Sequence, residues 1–145
     1  MKQPTERQLA RLDLASEMDL RYSYFSVNIS LGMREFERES FPGTPALDFA
    51  FCVLAAVENV RRGNPGRISF TENDLLINLV PAATKVTVER SWDPTIATCS
   101  IDELVATSRE FCRNVIDFTV QKYPDFQKNP FFARMKKMQA ELSSD

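Results

Sequence analysis

RISFTENDLLINLVPAATKVTVERSW, residues 67–92, decides the architecture. Three runs rich in branched and aromatic side chains, residues 67–70, 75–80 and 85–92, are separated by turn-forming clusters, Thr71-Glu72-Asn73-Asp74 and Pro81-Ala82-Ala83-Thr84. In the last run Val86, Val88 and Arg90 share one face, and Lys85, Thr87 and Glu89 the other. Half-polar alternation broken by turns predicts an antiparallel meander with one wet face. Asp93-Pro94 is expected to end it.

Downstream, Ser100-Ile101-Asp102-Glu103 is a capping box, the serine as N-cap and the glutamate three residues on. It opens a helix that runs to Tyr123-Pro124, with Leu104, Ser108, Phe111, Val115 and Phe118 on one face. Asn129-Pro130 caps a last helix striped by Phe131, Phe132, Met135, Met138 and Leu142. That stripe either docks on the chain's own core or offers a groove to a partner.

Upstream, Thr44-Pro45 reads as an N-cap and first helical position. The helix they open is apolar around most of its girth, hence central, and stops at Gly63. From Met18 the period is two: Leu20, Tyr22 and Tyr24 alternate with polar residues, then Phe25, Val27, Ile29 and Leu31 do so with the parity slipped by one. One long bulged strand is expected, or two strands. Residues 5–16 form a short helix opened by Thr5, or an arm. Gly32 to Gly43, dense in charge, is a loop, a solvated edge or the exposed continuation of the strand. The order predicts a single α+β domain spanning residues 1–145: an antiparallel sheet of about four strands, one long N-terminal strand plus a three-strand meander, with helices packed on one face.

Composition narrows the chemistry. There is no histidine among the 145 residues, which removes the usual neutral-pH base and the commonest metal ligand. A net charge of −2 argues against a dedicated nucleic-acid binder. Cys52, Cys99 and Cys112 lack the paired spacing of a zinc site or a disulfide framework. Cys99, beside a helix N-terminus, is the thiol best placed to react. MKQPTERQLARLDL carries charge where a signal peptide carries its apolar stretch, and residues 46–57 fall far short of a bilayer span. A soluble, cytoplasmic protein without a cofactor or a membrane is the expectation.

No catalytic motif is found. Glu72 and Asp74 share a hairpin turn, and Asp93, Asp102 and Glu103 flank a helix entry. Turn chemistry explains Asp74, and capping with the helix dipole explains Asp102 and Glu103, while RRGNPGR (residues 61–67) lacks any phosphate-loop pattern. The best binding candidates are Arg34, Glu35, Phe36, Glu37, Arg38 and Glu39, with Phe41 close by and Trp92 as a second aromatic anchor. Glu72 and Asp74 adjoin if the hairpin turn shares that face. Alternating charges around aromatic anchors suit a protein interface; a solvated loop, with Trp92 closing the end of the sheet, is the plainer alternative.

The element order, with ISFTENDLLINLVP followed by VTVERSWDP and the SIDELVATSREFC helix, resembles the small α+β immunity proteins of bacterial toxin–immunity systems over residues 18–123. That resemblance implies a non-enzymatic domain whose partner is another protein, a toxin domain that it binds and blocks. It carries no binding residue over. Two further readings stay open: a small-molecule-binding domain or carboxylate-dependent enzyme with a pocket between helices and sheet, and a homodimeric structural subunit.

Overall fold

The computed structural model describes residues 5–9, 11–24, 26–70 and 73–143. Strands β1 (Ser26–Met33) and β2 (Phe36–Pro45) form an antiparallel hairpin of their own. Helix α1 (Ala46–Arg61) follows directly. Strands β3 (Gly66–Ser69), β4 (Leu76–Ala82), β5 (Lys85–Arg90) and β6 (Asp93–Ser100) make a four-stranded antiparallel sheet in sequential order. Helices α2 (Ile101–Lys122) and α3 (Pro130–Ser143) complete the chain.

The fold is α+β, with helices against one face of a four-stranded sheet, but its strand set differs from the expected one. The meander is present and gains β6, since the chain turns at Ser91-Trp92 and Asp93-Pro94 opens a further strand instead of ending the sheet. Only Ala97 of β6 is fully buried. Proline is tolerated near the start of such an edge strand, which needs few of its backbone donors. The N-terminal strand does not join this sheet and begins only at Ser26.

Residues Glu17–Asp19 and Leu20–Tyr24 are helical where alternation predicted a strand. Ser16 caps them by accepting from the Asp19 amide at 3.1 Å. Arg21, inside this turn, reaches the buried Asp48 of α1 at 2.7 Å and stacks on Phe51 at 4.2 Å. Ion pairing and stacking with α1 hold a conformation that a seven-residue period-two pattern does not foretell.

Of the Gly32–Gly43 segment, Gly32 and Met33 continue β1 and the rest is the turn and a half-exposed strand. The chain turns at Arg34-Glu35 and runs back as β2. Two register shifts place Glu37-Arg38 opposite Gly32 and Pro42-Gly43 opposite Asn28. Gly43 takes a φ of 69°, the left-handed conformation that a glycine bulge uses. Thr44 does not cap α1: its hydroxyl donates to the Phe41 carbonyl across this bulge at 2.8 Å, and Pro45 occupies the N-cap without a side-chain bond.

On the sheet, Ile68, Ile77, Leu79, Val86, Val88 and Ala97 face inward and are buried, while Arg67, Ser69, Val80, Glu89 and Thr98 face out. Helix α1 crosses the inward face so closely that a Cβ on Gly66 would stand 2.9 Å from the backbone carbon of Ala56. Buried Asn129 caps α3 by accepting from the Phe131 amide at 2.9 Å and donates to the carbonyls of Leu12 and Ala15 at 2.7 and 2.8 Å. That contact ties residues 12–15 into the fold. The α3 stripe docks inward, with Phe131, Met135 and Leu142 buried. No helix among the described residues is long and apolar enough to cross a membrane.

Candidate functional site

The hairpin crosses the inward side of the sheet without pairing to it, and a cavity of about 600 Å³ lies beneath. Leu31, Met33 and Phe41 of the hairpin roof it, Ile77, Leu79 and Val88 of the sheet floor it, and Phe49 of α1 with Leu104 and Phe111 of α2 close its sides. Exposed residues at its rim include Arg34, Glu35, Lys85, Glu103 and Thr107. An aromatic cluster stiffens the wall: Phe41 meets Phe70 at 4.7 Å and Trp92 at 5.6 Å, and Phe49 meets Phe111 edge-on at 5.7 Å.

The most deeply buried charge in this largely apolar space is a guanidinium. Arg90 follows Val86 and Val88 on the inward parity of β5, so its guanidinium lies inside, with the side chain only 6% exposed. One of its Nη atoms donates to Glu39 of β2, the other lies 3.3 Å from Asp93, and the guanidinium lies over Phe36 with its carbon 3.6 Å from the ring centroid. Charge pairing and stacking together make a buried guanidinium tolerable. Trp92 adds its indole N–H to the same Glu39 carboxylate. A hydrogen bond from the Thr95 amide holds the Asp93 carboxyl below its ordinary value, and Arg90 adds to that.

The sequence candidates therefore separate. Phe36, Glu39 and Trp92 converge on Arg90 in the cavity wall, and Phe41 is core. Arg34, Glu37 and Arg38 stay exposed around the hairpin tip and make no ion pair among the described residues. Glu35 is exposed but engaged: its carboxylate accepts from the Thr98 amide on the free edge of β6. Asp74 is exposed in the turn before β4 and takes no part in the cavity wall. Glu72 lies outside the described residues. Arg90 joins Phe36, Glu39 and Trp92 without a motif of its own, its one sequence signal being the parity it shares with Val86 and Val88.

The other signals resolve into structure. Arg61 and Arg62 both bind Glu58, and Arg67 binds Asn78, so the three arginines of RRGNPGR do not converge. Arg61, followed by Arg62, holds the Glu58 carboxyl below its usual range. Cys99 lies within β6 opposite Val86, and burial, reinforced by Glu103 and Glu35, raises its thiol instead of activating it. No group of three or more metal-ligating side chains occurs among the described residues.

Each of the three carboxylates in the cavity wall is engaged. Glu39 holds Arg90 and Trp92, Glu35 the Thr98 amide, and Glu103 the Ser100 hydroxyl at 3.1 Å in the expected capping box. Three cations, Arg34, Lys85 and Arg90, balance them. Among the described residues the wall is thus largely apolar and aromatic, and its charges cancel. Compared with protein-family models, with curated proteins and with solved structures, the chain matches none of them.

Proposed function

We propose that this protein is a binding domain that encloses a small organic molecule between the β1–β2 hairpin and the inward face of the sheet. The observation that carries the reading is the cavity of about 600 Å³, walled by the hairpin, the sheet and two helices. Ligand sites have volumes of about 300–1,000 Å³ and combine apolar walls with a few placed polar groups. The engagement of all three wall carboxylates favours binding over acid–base catalysis, which needs a carboxylate free to exchange a proton.

The protein reports on this site itself, because Trp92 is its one tryptophan and lines the cavity. In a screen of ring compounds by NMR, binders are expected to shift the Trp92 indole signal. Filling the interior with Val88→Phe, or plugging the rim with the milder Thr107→Phe, is expected to abolish those shifts. Binding that survives in folded samples of both variants, or a screen without binders, overturns the reading.

A second reading rests on a different observation: Arg34, Glu37 and Arg38 are exposed at the hairpin tip and make no ion pair among the described residues. Such charges suit a protein partner, held as an immunity protein holds its toxin.

A further inference from the structure

The polar wall of the cavity points to the chemistry of its occupant, an inference that rests on the ligand-binding reading above. Among the described residues, the buried side-chain nitrogen or oxygen left without a hydrogen-bond partner is Nε of Arg90. The rest of that guanidinium is committed to Glu39, Asp93 and the Phe36 ring. A buried N–H of a charged group is costly without an acceptor, and native proteins almost always supply one. Arg90 lines the cavity, so a molecule bound there supplies the acceptor once the wall moves enough to uncover Nε, which is closed to solvent in this structure.

Charge decides which acceptor fits. The wall holds as many carboxylates as cations, and Asp93 adds a further negative charge beside Arg90. A ligand carboxylate would compete with Glu39 for the guanidinium and stand close to two like charges. A neutral carbonyl oxygen satisfies the single N–H and leaves the ion pair intact. The apolar remainder includes the rings of Phe36, Phe41, Phe49, Trp92 and Phe111, whose faces and edges accommodate a flat ring system.

We propose that the cavity takes a neutral, flat, ring-containing molecule whose carbonyl oxygen accepts a hydrogen bond from Arg90 Nε. Three probes of nearly one shape test it: 9-fluorenone, fluorene, which replaces the carbonyl by a methylene, and fluorene-9-carboxylate. Calorimetry on the intact chain is expected to give fluorenone about tenfold tighter binding than fluorene, the effect of one hydrogen bond to a charged donor. The carboxylate is expected to bind more weakly than fluorenone. Fluorenone, and not fluorene, is expected to shift the Arg90 Nε–H signal in a ¹⁵N NMR spectrum, a readout that needs no variant. In Arg90→Met the preference for fluorenone disappears while fluorene still binds. Equal binding of fluorene and fluorenone with the Nε–H signal unmoved overturns this inference and leaves the cavity reading standing, as does tightest binding of the carboxylate. Failure of all three probes overturns this inference, and the ring-compound screen then decides the cavity reading.

Discussion

The Glu39 carboxylate accepts the indole N–H of Trp92 at 3.0 and 3.1 Å, across 53 residues of sequence. With Arg90 on the same carboxylate, this contact latches the hairpin to a sheet with which it shares no backbone ladder. The cavity exists because the latch is made by side chains and not by strand pairing. Close strand pairing would have left no room beneath the hairpin.

Removing the latch exposes its worth. Glu39→Ala leaves the 6% exposed Arg90 with Asp93, at 3.3 Å, as its one carboxylate partner among the described residues. Breaking a fully buried pair costs about 3–5 kcal/mol, and because Glu39 is 35% exposed the expected loss is about 2 kcal/mol. Urea unfolding followed by Trp92 fluorescence measures it. Glu39→Gln, which keeps an acceptor for the indole, is expected to lose less. A Glu39→Ala protein within about 0.5 kcal/mol of the parent would mean that the hairpin is held by its other contacts and not by this latch.

Gly66 makes a separate, steric prediction. A methyl there meets the backbone of Ala56, which cannot swing aside as a side chain does. Gly66→Ala should cost about 3 kcal/mol, at the upper end of overpacking penalties, and lower Tm by roughly 10 °C. Gly63→Ala is the control. With φ at 87° and nothing within 4 Å, it carries only the left-handed strain of about 1 kcal/mol. A calorimetric scan in which the two variants melt together would contradict the close approach of α1 and β3.

How much of this was legible in the sequence differs from element to element. The meander, the three long helices and the Ser100–Glu103 box were readable because each rests on a local pattern. Residues 18–24 misled because Leu20, Tyr22 and Tyr24 alternate over too few residues to exclude a helical turn; the local clue was Ser16 three residues before Asp19. Strand β6 was hidden because only Ala97 is fully buried, so it has no apolar alternation to read. The inward turn of Glu39 was unreadable for a sharper reason. Strict alternation from Phe36 sends Glu39 outward, and the bulge at Glu37-Arg38 reverses that parity. The candidate segment was visible, but which of its charges face the cavity depended on one extra residue in β2.

Cys112 links stability to alkaline pH. Burial pushes its thiol up to about 12 from an ordinary value of 9.0, with Sγ 3.5 Å from the Ala50 carbonyl. The folded state holds the proton more tightly than the unfolded state. The contribution is therefore full below pH 9 and is lost as pH rises from 9 towards 12. That difference corresponds to on the order of 4 kcal/mol. Urea titrations between pH 8 and 11 should show stability falling, and Cys112→Ala should flatten that slope whatever its own cavity costs. Parallel slopes in the two proteins would remove the thiol as the cause. At pH 8 the native Cys112 should also resist alkylation that the denatured chain undergoes readily.

The hairpin tip separates the two functional readings, because its charges and the latch lie on one strand but face opposite ways. Glu37 and Arg38 are exposed and stand at the bulge, whereas Phe36 and Glu39 on either side of them turn in to Arg90. Reversing both charges, with Glu37→Lys and Arg38→Glu, breaks no ion pair found among the described residues. Unfolding free energy should stay within about 0.5 kcal/mol of the parent, as for surface substitutions that touch no buried feature. Fluorenone affinity should stay unchanged, since neither side chain lines the cavity. Adding Arg34→Glu extends the reversal to the rim. If the domain holds a protein partner through this tip, the reversals should weaken that complex at least tenfold, chiefly at low salt, where exposed charges are least screened. Surface plasmon resonance against the captured partner reads this directly. A complex indifferent to all three reversals would rule out the tip as the contact and leave the cavity as the candidate site.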